Sequence, residues 1–285
     1  MPELLIYQAI WGLENLPDFD LGEGLPGAID RVLGAGFDGV GVALLRREQS
    51  EVVSRVMAAR GKTWEATAFV RTADDLARDI ERAQSLGAHH LNVQILERPD
   101  RVSAAVSLLE AMEAVAERAQ IPVRYETHRG RLTNDLLFTV RVLDEMPELK
   151  LTGDLSHYPV VHEMPLPPAE PDLMRMSRVI SQCWGFHGRV PGSHQVQISI
   201  EAPQHQGWVD QMRAWWTEGF TSWRGRAGPK DELTFMSELG PPNYAIVDAA
   251  GNELADRWRE AQILKDMARS IWTEVDRVAV AESPA

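Results

Sequence analysis

Cysteine is almost missing from this chain. The single Cys183 cannot close an intrachain disulfide, which excludes a disulfide scaffold and fits a reducing, cytoplasmic setting. No apolar run approaches the ~18 residues a membrane span needs. The start, Met1-Pro2-Glu3-Leu4, lacks the basic-then-apolar order of a signal peptide. Positive charge is also scarce: 29 Lys and Arg against 42 Asp and Glu leave a net charge of −13. Such a surface repels phosphate backbones and anionic lipid heads, so neither nucleic acid nor membrane is an expected partner. The glycine-rich turns G-x-G-x-x-G and G-x-x-x-x-G-K-[ST] do not follow the first strand, which counts against a doubly wound nucleotide-binding sheet.

What is present is a regular alternation. Eight apolar runs read as strands: Leu4–Ile10, Phe37–Ala43, Thr63–Val70, His89–Ile95, Ile121–Glu126, Leu149–Asp154, Cys183–His187 and Leu233–Met236. Helical periodicity separates them. Thr72 and Asp75 pattern as a capping box ahead of Leu76, Ile80 and Ala83, and Gly87 suits that helix's end. Strands separated by helices imply parallel pairing. Eight such units in 285 residues predict a single α/β domain over 1–285, a (β/α)8 TIM barrel with an extended loop and helix after strand seven. That extended segment spans 188–232. Its irregular part, 188–206, is expected to lie over the barrel mouth as a lid, carrying Arg189 and His194 inward. Residues 278–285 read as a fraying tail, and the Trp208, Met212, Trp215, Trp216 stripe reads as packing.

In such a barrel the C-terminal strand ends converge on one mouth. Here strands five to eight end on Glu126, Asp154, His187 and Glu238. Taken singly, Glu126 could pair with Arg124 or Arg129, Asp154 could cap the following turn, and His187 could be structural. Four successive strand ends outweigh those readings, because neighbouring strands lie about 5 Å apart and their ends can surround one ion. Three carboxylates and an imidazole favour one divalent cation, Mn2+, Mg2+ or Co2+, with Zn2+ also accommodated. Such an ion would acidify a C–H beside a carbonyl, and Glu126 and Glu238, from non-adjacent strands, would exchange the proton. His89 and His90 open strand four at the opposite face and read as structural. Trp11 reads as a pocket wall, and Asn92 and Gln94 lie along strand four, where one could line the pocket.

The stretches Glu126-Thr-His-Arg-Gly-Arg131, Leu151-Thr-Gly-Asp-Leu-Ser-His157, His187-Gly-Arg-Val190 and Glu238-Leu-Gly-Pro-Pro-Asn-Tyr244 resemble the xylose isomerase-like TIM barrels, in their sugar phosphate isomerase/epimerase branch. The resemblance implies a metal-dependent isomerase or epimerase acting on a sugar, keto-sugar or cyclitol, phosphorylated or not, with a small carbohydrate as substrate; a homo-oligomer, a dimer, is the expected assembly. It implies that Glu126, Asp154, His187 and Glu238 bind the metal and that Glu126 and Glu238 are catalytic. His157 and Arg189 would contact substrate, with His128, Arg129, Gln94 and Trp11 completing the substrate site. Tyr125, Ser237 and the Pro191-Gly-Ser-His194 loop depart from the family pattern. A metal-dependent lyase or hydrolase on a keto-sugar would use the same groups. An abasic-site endonuclease would need further histidines, absent from Gly39–Leu45 and Trp64–Phe69. A noncatalytic partner subunit is the third reading.

Overall fold

A computed structural model describes residues 2–282. The chain alternates β1 (Glu3–Ala9), α1 (Leu25–Gly34), β2 (Gly39–Ala43), α2 (Arg47–Ala59), β3 (Thr63–Val70), α3 (Ala73–Ser85), β4 (His90–Ile95), α4 (Val102–Ala116) and β5 (Val123–Glu126). It continues with α5 (Leu136–Glu145), β6 (Leu151–Gly153), α6 (His157–Val161), α7 (Glu170–Ile180), β7 (Cys183–Gly188), α8 (Gln206–Arg226), β8 (Glu232–Ser237) and α9 (Arg257–Glu282). The strands pair in parallel and in chain order, and β1 closes on β8. This is a (β/α)8 TIM barrel. No described helix is long and apolar enough to cross a membrane.

Local chemistry explains the element boundaries. The Thr72 and Asp75 side chains make both bonds of the capping box that starts α3, and Gly87 adopts a positive φ of 69° after its end. β5 begins at Val123 because Pro122 has no N–H for the ladder; its carbonyl still accepts from the Leu91 amide at 2.9 Å. Val40, Val42, Ala66, Ala68, Leu91 and Val93 belong to the core between strands and helices. Inside the barrel, Gly41 makes room for a large neighbour: a Cβ there would collide with the Met236 sulfur.

Two expectations need revision. The last helix runs on to Glu282, because Leu264, Ala268, Ile271 and Val275 keep one buried face on it. Of the predicted tail 278–285, residues 278–282 are helical and 283–285 lie outside the described residues. The segment 188–206 is a fastened wall. Val190, Val196, Ile198 and Ile200 are buried, and the Gln197 amide pairs with both the N–H and the carbonyl of Gly240 at 2.7 and 3.1 Å. Ser193 donates to the Met164 carbonyl at 2.6 Å, and Glu260 accepts from Ile200 at 3.0 Å. His194 is exposed and contributes nothing to the mouth. Trp208, Met212, Trp215 and Trp216 are buried on α8 as core residues.

Candidate functional site

The alternation of β5 sets the first ligand. Tyr125 faces outward and donates its hydroxyl to Glu113 of α4 at 2.8 Å, so its neighbour Glu126 faces the barrel interior. Ser237 likewise faces outward, to the Ala261 carbonyl, leaving Glu238 for the mouth. The two departures from the family pattern at Tyr125 and Ser237 are thus positions turned away from the site.

Glu126, Asp154, His187 and Glu238 are all buried, and each offers a ligand atom within 4.8 Å of the others. His187 Nδ1 lies 3.1 Å from Glu238 Oε2 and 4.0 Å from Glu126 Oε1. Neither predicted arginine pairs with Glu126: Arg124 donates to Thr234 lower in the barrel, and Arg129 lies over the Tyr244 ring. Asn92 and Gln94 of β4 hold Glu126 instead, with the Gln94 amide donating to both carboxylate oxygens at 3.0 Å. Asp154 does cap its turn, through Oδ1, which accepts from the Ser156 N–H and hydroxyl. Its Oδ2 is buried without a hydrogen-bond partner, with His157 Nε2 at 3.2 Å and Arg189 Nη2 at 3.5 Å. An orphaned buried carboxylate oxygen beside two more carboxylates and an imidazole is a donor set suited to a divalent cation.

The electrostatics point the same way. Burial raises the Glu126 carboxyl to about 8; Glu238 and Asp154 add to the rise, against the lowering effect of His187. Burial opposes charge on His187, yet Glu238 and Glu65 outweigh it and hold its imidazole well above the ordinary value. Burial also opposes ionisation of Asp154, while His157 and Arg189 keep it well below the usual carboxylate range. A divalent charge would relieve the crowding that burial and repulsion impose on Glu126.

Glu65, on β3, was missed by the sequence reading. It is 1 % exposed, and its two oxygens face His187 Nε2 at 3.1 Å and His90 Nε2 at 2.8 Å. His90 Nδ1 in turn lies 2.9 Å from His89 Nδ1, and His89 Nε2 lies 2.6 Å from Glu232. His89 and His90 thus sit at the opposite end of the barrel, as expected, but in a chain of contacts that reaches the mouth. By accepting from His187 Nε2, Glu65 leaves Nδ1 as the nitrogen aimed at the cluster. A charged residue at an inward strand position, two before Thr67 and between outward Trp64 and Ala66, was the available signal.

The cluster opens on a cavity of about 300 Å3 lined by Trp11, Gln94, His128, Arg131, Arg189 and Glu238 among others. Arg189 is 1 % exposed, donates to Glu238 at 2.7 Å and stacks over the Tyr244 ring at 4.6 Å. Tyr244 also packs edge-on against Trp11. His128 is half-buried and faces His157 with ring centroids 3.9 Å apart. Its Nδ1 is tied to the Arg129 carbonyl, and burial, with His157 nearby, keeps the ring neutral. Glu126, His128 and His157 form a second grouping of ligand atoms within 4.8 Å. None of the four lysines, Lys62, Lys150, Lys230 and Lys265, is among the described residues that line this cavity.

No family model and no curated protein matches the chain. Among solved structures, a probable 3-DHS dehydratase, AsbF, from Bacillus anthracis superposes with a TM-score of 0.53 at 13 % identity, covering 94 % of this chain and 98 % of that one. A dihydrodipicolinate synthase gives 0.49 at 12 % identity, over 96 % and 79 % of the two chains. The dihydrodipicolinate synthase from Agrobacterium tumefaciens gives 0.46 at 14 %, over 97 % and 77 %. Likeness at this identity speaks to fold alone. These findings correct the resemblance to sugar phosphate isomerases and epimerases: the solved structures named above are two synthases and a dehydratase, and neither a family model nor a curated relative carries the isomerase/epimerase assignment. The isomerase or epimerase activity inferred from it is withdrawn. The motifs had that look because carboxylates and imidazoles at strand ends converge in any barrel of this topology.

Proposed function

We propose that this chain is a lyase, dependent on one divalent cation, that eliminates water from a small hydroxylated carbonyl compound. One observation carries the reading: among the four clustered residues only Glu238 lines the cavity, whereas Glu126 is pinned behind it by Asn92 and Gln94. A mouth with one facing carboxylate suits removal of a proton from one face, followed by loss of a leaving group. Inversion of a carbon would need a base on each face. A structural neighbour with a TM-score of 0.53 bears the name of a dehydratase, a reaction of this class.

In this reading Glu126, Asp154, His187 and Glu238 hold the ion, with Mn2+, Mg2+ or Co2+ suited to the oxygen-rich set and Zn2+ accommodated. When bound, the ion would polarise the substrate carbonyl and acidify the adjacent C–H. Glu238 takes that proton. The electrons form the C=C bond, the β-carbon–oxygen bond breaks, and the departing hydroxyl leaves as water with the proton that Glu238 returns. Neutral His128 orients a substrate hydroxyl through its free Nε2, and the fastened 188–206 wall limits bulk water at the mouth.

The test is a panel of β-hydroxy carbonyl compounds incubated with Mn2+-loaded protein and with an EDTA control. A product lighter by one water, seen by mass spectrometry only with the ion, is expected. Solvent deuterium entering the substrate without loss of mass would overturn the reading. Glu65→Gln supplies a second expectation. Removing the carboxylate that orients His187 should weaken Mn2+ affinity by about 10- to 100-fold, read by calorimetric titration. Unchanged affinity would remove Glu65 from the ion's support.

A further inference from the structure

The structure separates the roles of the arginines around the mouth. Arg189 is spent on Glu238 and Asp154, at 2.7 and 3.5 Å. Arg129 lies 5.4 Å over Tyr244 and does not line the cavity. Arg131 lines the cavity and, among the described residues, makes no ion pair. It follows Gly130, whose φ of 71° turns the chain back toward the barrel. Its Nε donates to Gln94 Oε1 at 2.9 Å, and its guanidinium stands 6.0 Å from the Phe69 ring centroid. The same Gln94 amide donates through Nε2 to Glu126. One side-chain amide therefore spans the guanidinium and the ligand cluster, and the two charges cannot drift apart.

Around the divalent ion of the proposed reading, on which this step rests, Arg189 is the cation that pairs directly with the ligand carboxylates. Arg131 remains without a direct ion-pair partner among the described residues, beside a cavity walled by Val42, Ala43, Leu45 and Phe69. Arg46, on the same rim, is already paired with Glu14 at 2.7 Å.

We infer that Arg131 is an anion-binding residue, and that the substrate carries a carboxylate or phosphate group on an apolar or flat body, seated between Arg131 and the β2–β3 wall. Arg131 Nη1 donates to the Gly130 carbonyl at 3.3 Å, which leaves Nη2 and the second Nη1 hydrogen for the charge-assisted hydrogen bonds that guanidinium makes to such groups.

Ligand-detected NMR with Mg2+-loaded protein tests this without requiring turnover. The probes are benzoate, phenyl phosphate and the neutral isostere benzamide. Wild type should bind one of the anions at least tenfold more tightly than benzamide, and the preferred anion identifies the group. Arg131→Met should abolish the preference while benzamide binding is retained. Where that variant does not fold, Arg131→Lys, which keeps the charge but loses the fork, should cut the preference severalfold. Equal binding of all three probes to wild type, or a preference that survives both variants, overturns the inference. A preserved Arg131-dependent preference alongside failure of every elimination assay would remove the lyase reading and leave the anion site standing.

Discussion

Glu238→Gln is expected to lower turnover of any eliminated substrate by about 10²- to 10⁴-fold, the usual contribution of a positioned proton-transfer group. The side chain keeps its shape and one carbonyl oxygen for the ion, and Glu126, Asp154 and His187 still surround it. Loss of the ion is therefore not the expected cause, and metal content measured on the purified variant separates the two. Arg189 will lose a charge partner at 2.7 Å but keeps Asp154 at 3.5 Å, so the fold should hold. A variant with full ion content and near wild-type turnover would dismiss Glu238 as the base. A loss that tracks ion content would make it a ligand only.

The second large effect is on stability. In ion-free protein the Glu126 carboxyl is raised to about 8, chiefly by burial, and His187 is held well above its ordinary value against burial by Glu238 and Glu65. Both groups bind protons more tightly in the folded chain than in the unfolded one. For both, the stability contributed is complete below the unfolded pKa and is lost as pH rises toward and through the folded one. EDTA-treated protein should therefore lose on the order of a few kcal/mol between pH 6 and pH 9, with a fall in Tm of about 5 °C or more. Mn2+ should remove most of that slope, since it replaces the protons as the cluster's positive charge, and its affinity should climb with pH as those protons leave. A Tm that is flat or rises over this range in EDTA would contradict the charge arrangement of the cluster.

The amino-acid order by itself determined the barrel and its mouth. Eight apolar runs alternating with helical periodicity leave few topologies, and a strand's two-residue period places Glu126 inward once Tyr125 is outward. The strand-end positions Asp154, His187 and Glu238 were legible for the same local reason. What the sequence could not separate was chemistry from location, since any barrel brings its strand ends together, and there the likeness to sugar isomerases misled.

Only the tertiary structure decided the partners. Glu65 lies 122 residues from His187 along the chain yet touches its ring, and Gln94 joins Glu126 to Arg131 across 32 and 37 residues. It also decided that the segment after strand seven is a wall, because Gln197 finds Gly240 and Ile200 finds Glu260. Each of these contacts closes a long loop of chain. Their free energy depends on burial that no local pattern records, so periodicity could name the residues that face the mouth but not the ones that hold them there.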